Sequence, residues 1–214
     1  MAEDKFNLKN FAEPPEKVRL MFQAVTELLS EKTDINAMKV ADITKRAGIG
    51  KGTAYEYFSS KEEIITMALL YDYKVRLQQL EEGLSKKKCF REKMYCILDW
   101  LEANSSYHAT FLHMIQLSSG NANLCETLKE KVPEEILNGM HAYVFEQGNL
   151  MMEQGYEEKL FTETDPVKRR MAFAGMILEF GLTLSPKNNH SFFQMEAESA
   201  KQFVYEGMIK QLKN

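Results

Sequence analysis

Apolar residues recur at three- and four-residue intervals along almost the whole chain. No stretch alternates between apolar and polar positions inside hairpin signals, so the pattern predicts an all-α protein. After Pro14-Pro15, the residues Val18, Met21, Phe22, Val25, Leu28 and Leu29 mark one helix over about residues 15 to 30. Val40, Ile43 and Ala47 form a shorter stripe, which Gly48 should end by taking the left-handed conformation of a C′ residue. A second short helix is expected from Gly50 or Lys51, with Ala54 and Phe58 turned inward. Ser60-Lys61-Glu62-Glu63 reads as a capping box that opens a long helix running to about Leu80.

Farther along, Met94, Ile97, Leu98 and Leu101 share one face, and Phe111, Met114 and Ile115 another. Pro133 should open a helix that Gly155 closes, and Asp165-Pro166 supplies an N-cap and first helical residue for a helix near 166–184. Ser191 is placed to cap a last helix near 192–212. Without repeats or a low-complexity linker, the natural seam lies where the long helix starts. This gives an N-terminal three-helix domain of residues 1–62, joined by the long helix to a larger helical domain of residues 63–214.

Length and composition, 214 residues with 44% hydrophobic and 27% charged, suit a globular chain able to bury its own core. The start, MAEDKFNLKNF, has no apolar run of the signal-peptide kind, and KRRMAFAGMILEFGLTL is short and interrupted by Glu179. No membrane partner is therefore expected. Cys89, Cys96 and Cys125 include no CxxC pair, which fits buried thiols in a reducing, cytoplasmic setting. The net charge of −4 does not advertise a nucleic-acid binder, but between residues 39 and 51 Lys39, Lys45, Arg46 and Lys51 face the single acid Asp42. The local patch matters, because salt screens charges beyond about 10 Å.

RAGIGKGTAYEYF, residues 46–58, raises the question of a nucleotide site. A phosphate loop needs Gly-x-x-x-x-Gly-Lys-Ser/Thr directly after a strand. Here position 45 is lysine, Gly52 separates Lys51 from Thr53, and VADITKRA has a helical pattern. A helix-turn-helix accounts for every residue instead. Gly48 turns the chain, Ile49 points into the core, and Gly52, Thr53, Glu56 and Tyr57 form the outward arc with Tyr55 on its flank.

VADITKRAGIGKGTAYEYFSSKEEI resembles the DNA-binding signature of the TetR family of bacterial transcriptional regulators. The family pattern is an Ile-Ala helix, Ala-Gly-Val-Ser, Gly-Thr, Tyr-x-Tyr/His-Phe and a Lys-Glu pair opening a helix, and the likeness covers about residues 16 to 70. The resemblance implies that Thr53, Tyr55 and Tyr57 meet phosphates or base edges and that Lys61 meets the backbone. Gly52 would permit close approach and Lys51 would add charge. Glu56, at a variable position, would help set specificity, for instance by accepting from a cytosine amino group. Three positions depart from the pattern. Met38-Lys39-Val40 replaces the usual Ser or Thr, so Lys39 substitutes for that hydroxyl. Thr44 stands for alanine, with its hydroxyl expected on the Val40 carbonyl, and Gly50 stands for serine.

The same resemblance implies a homodimer through the last two helices, a double-stranded DNA operator and a small-molecule effector held among the middle helices. Trp100, Tyr107, Phe111, Met114, Met140 and Tyr143 are the candidates to line that effector pocket, although for each residue taken singly core packing is the stronger explanation. His108, His113, His141 and His190 form no metal motif, and no cofactor is expected. The alternative is a helical enzyme or small-molecule binding protein without DNA-binding activity. No nucleophile, base and orienting group can be assembled for it, so an enzyme is not expected.

Overall fold

The computed structural model describes residues 13–31, 33–104, 130, 134–184 and 195–213, with side chains except over 134–145. Among these residues eight α-helices are bounded and no strand occurs. They are α1 (Glu16–Ser30), α2 (Val40–Arg46), α3 (Lys51–Tyr57), α4 (Lys61–Ser85), α5 (Phe90–Ala103), α6 (Glu134–Glu157), α7 (Pro166–Thr183) and α8 (Ala197–Gln211). They pack around two separate cores.

The first core gathers the apolar stripe of α1 with Val40, Ile43, Ala54, Phe58 and the start of α4. Phe22 is buried within it, with its ring centroid 5.9 Å from that of Phe58 and 5.5 Å from that of Tyr71. Every residue from Ile64 to Leu70 is buried, Thr66 included, so about two turns of α4 are enclosed on all sides rather than along one stripe. The Ser60 hydroxyl accepts from the Glu63 N–H at 3.1 Å, as the capping box requires. Its reciprocal half lies one residue earlier, where the Glu63 carboxylate accepts from the Ser59 N–H and hydroxyl. With that start fixed, α4 runs on to Ser85 rather than ending near Leu80.

In the second core Phe90, Met94, Leu98, Phe161, Met176, Phe180, Val204 and Met208 are buried, with Leu80 and Leu84 of α4 packed against them. Asp165 caps α7 as its sequence predicts, accepting from the Val167 N–H at 2.8 Å, with Pro166 next. Gly155 does not close α6. It lies inside the helix, and the left-handed residue beyond the end is Lys159, at φ 59°. The Leu160 N–H donates to the Gly155 carbonyl at 3.1 Å and that of Lys159 to Tyr156 at 2.9 Å, the paired bonds of a Schellman motif. Gly155 is needed for a different reason: a Cβ there would lie 2.7 Å from the Phe161 ring and 2.8 Å from that of Phe90.

α8 begins at Ala197 with Glu196 at its N-cap; Ser191 lies outside the described residues. Lys201 on α8 is buried, and its ammonium reaches Asp99 at 2.6 Å and Glu102 and Glu198 at 2.7 Å. Burial pulls that ammonium downward, but the three carboxylates hold its pKa above the usual lysine value. Cys89 and Cys96 are half-buried free thiols rather than core residues, and burial pushes the Cys96 pKa up. Cys125, His108, His113 and His190 lie outside the described residues, as does the His141 side chain.

Candidate nucleic-acid interface

The turn between α2 and α3 follows from one glycine. Gly48 sits at φ 68°, where any other L-residue would be strained by about 1–2 kcal/mol. The Ile49 N–H donates to the Thr44 carbonyl at 3.0 Å and the Gly48 N–H to Lys45 at 3.3 Å, so the end of α2 is closed while the chain swings into α3. Ile49 packs against the first core, as expected. Thr44 is buried, but its hydroxyl donates to Ala41 at 3.3 Å, not to Val40.

The charge of this region is smaller than the sequence suggests. Arg46 places two nitrogens 2.8 Å from the two carboxylate oxygens of Glu31, with Glu27 at 3.4 Å. The guanidinium hydrogen bonds hold the Glu31 carboxyl below the usual carboxylate range. Arg46 is therefore neutralised by Glu31 and Glu27, and Lys39, Lys45 and Lys51 are the exposed cations that remain. At the start of α2 the Lys39 backbone N–H donates to the Asp42 carboxylate at 2.9 Å, which leaves its side chain in solvent.

Ala54 on α3 and Phe58 just after it are buried, and Gly52 and Glu56 lie about 160° from Ala54 around the helix. Lys51, Gly52 and Glu56 are exposed, and Tyr55 is 51% exposed. Thr53 is half-buried. Tyr57 does not stand free: it is half-buried and rests on the first core, its ring 6.5 Å from that of Phe58. Lys61 is tied back at its tip, donating from Nζ to the Asn36 carbonyl at 3.1 Å with Glu62 at 3.5 Å. Neither that anchor nor the Arg46 pair has a local signature, because the partners lie 15 to 25 residues away in the chain.

Of the candidate effector residues, Trp100 is half-buried against the second core, and its buried Nε1 has no hydrogen-bond partner among the described residues. Tyr107, Phe111 and Met114 lie outside the described residues, as do the side chains of Met140 and Tyr143. Among the described residues no helix is long and apolar enough to cross a membrane.

Two short helices cornered at Gly48, backed by α1 and α4, define the chain as a helix-turn-helix protein. Residues 24–67 match the family of bacterial regulatory proteins called the tetR family. A fatty acid metabolism regulator protein from Bacillus subtilis is 26% identical over 123 residues. That match spans 58% of this chain and 61% of the relative. Among solved structures, a TetR transcription regulator from Haloarcula marismortui shares the fold with a TM-score of 0.66 at 13% identity, over 93% of this chain and 99% of that one. The fatty acid degradation regulator FadR from Bacillus halodurans does so with a TM-score of 0.64 at 16% identity, over 92% of this chain and 96% of the other.

Proposed function

We propose that the chain is a sequence-specific DNA-binding repressor that works as a homodimer and leaves its operator when a small-molecule effector binds. The observation that carries this reading is the outward face of α3, where Lys51, Gly52, Tyr55 and Glu56 are exposed beside a turn fixed by Gly48. Gly52 lets the backbone approach a DNA strand, since nothing lies within 4 Å of where its Cβ would be. Lys39, Lys51 and Lys61 supply positive charge, and Thr53, Tyr55 and Tyr57 supply hydroxyls for phosphate or base edges. Binding to the duplex flanking its own gene is expected to be tighter than to random duplex. The logarithm of that affinity should fall linearly with log salt, and Lys51→Gln should flatten the slope by about 0.9. Fluorescence anisotropy at several salt concentrations measures both, and equal affinity for the two duplexes would overturn the reading.

A short recognition helix reads a palindrome best when a second copy presents another about 34–36 Å away. α7 offers Val167, Met171, Leu178 and Leu182 to solvent on one face, Met171 being 67% exposed. α8 packs beside it and exposes Phe203 at 64%, one turn before the open Gly207. An apolar face of this kind favours burial against a second copy. Leu178→Glu combined with Phe203→Glu is expected to give a monomer in sedimentation velocity and to weaken operator binding. A dimer that persists would exclude this face.

For the effector, two relatives named for fatty acid metabolism or degradation favour a ligand with an acyl chain. A coupling of about 1–3 kcal/mol between sites suffices to change operator occupancy. Trp100 provides the intrinsic fluorescence reporter, as the single tryptophan of the chain.

A further inference from the structure

Glu56 is unusual on a surface meant for a polyanion. It is exposed, on the side of α3 opposite the buried Ala54 and Phe58. Its carboxylate has no hydrogen bond or ion pair among the described residues. Gly52, one turn earlier on the same side, brings no side chain and would meet nothing within 4 Å even with a Cβ. The carboxylate therefore stands clear, with nothing in the fold to satisfy it.

Phosphates repel a carboxylate, so its place against DNA must be set by groups that donate. In the major groove only the exocyclic amino groups of cytosine and adenine do so. Adenine places the N7 acceptor beside its N6 donor, which repels one carboxylate oxygen, whereas cytosine has no acceptor next to N4 on that edge. Guanine and thymine present acceptors. Resting on the reading of α3 as the groove-facing helix, we infer that Glu56 accepts a hydrogen bond from a cytosine N4 amino group. Each operator half-site then carries a cytosine at one fixed position, and Glu56 is the residue that specifies it.

Selection from a library of random duplexes, run in parallel with wild type, Glu56→Ala and Glu56→Gln, tests this. Wild type is expected to recover a two-fold symmetric site with cytosine at one position of each half, and replacing that base should cost about 5- to 150-fold in affinity. Glu56→Ala should keep the rest of the site and the salt dependence while losing preference at that position. Glu56→Gln should move the preference to adenine, whose N6 and N7 suit a carboxamide. Glu56→Ala recovering the same site with undiminished discrimination, or losing preference for some other base, would overturn the inference and leave the regulator reading standing. A wild type that recovers no common sequence would overturn both.

Discussion

Replacing Phe22 by alanine is expected to cost about 3–5 kcal/mol, the usual range for emptying a buried aromatic position. The ring is almost fully buried and touches both Phe58, just after α3, and Tyr71 on α4. Its loss leaves a cavity where α1, α3 and α4 meet. These helices cannot collapse into it, because Ile64–Leu70 is already packed on every side. A domain of this size is stable by about 5–15 kcal/mol in total, so the loss is a large part of what holds α3 in place. Urea unfolding followed by circular dichroism should show a lower midpoint, and operator affinity should fall although Phe22 is far inside the surface proposed to bind. Phe22→Leu should recover most of the stability. A midpoint within experimental error of wild type for the alanine variant would mean the first core is organised around another residue.

Gly155→Ala gives the second large effect, and two opposing magnitudes decide its sign. Alanine improves the intrinsic propensity of a helix interior by about 0.8–1.0 kcal/mol over glycine. Against this, the added methyl would press on Phe161 and Phe90, rings that are themselves buried and in edge contact at 5.8 Å. Overpacking of this kind costs about 1–3 kcal/mol and sometimes more. The net expectation is a lower melting temperature in calorimetry. Gly175→Ala is the informative contrast, since nothing lies within 4 Å of its Cβ position in the single chain. If alanine at 155 stabilised the protein as much as alanine at 175, the two rings would have to move aside freely.

What could be read from the sequence was local. Gly48 announced its turn and Asp165-Pro166 its cap because each acts on neighbours one to four residues away. The inward Ala54 and Phe58 followed from helical spacing alone. What the sequence did not reveal depended on partners brought together by folding. Arg46 reads in the sequence as a cation open to a ligand, but Glu27 of α1 and Glu31 just beyond its end hold it. Gly155 suggested a helix end because glycine commonly stands there, but the rings of Phe90 and Phe161 set its role and Lys159 took the left-handed position. Tyr57 followed the spacing of an outward residue, yet its ring has enough apolar surface to settle on the first core. The enclosed stretch of α4 likewise had no stripe to reveal it, since every side is covered.

The Lys61 ammonium rests on the Asn36 carbonyl, so its four-carbon stem is confined to few of its rotamers before any anion arrives. Immobilising such a side chain at the moment of association costs about 0.5–1.5 kcal/mol. Much of that rotational freedom is already given up during folding, and a phosphate reaching this corner meets a charge that needs little further ordering.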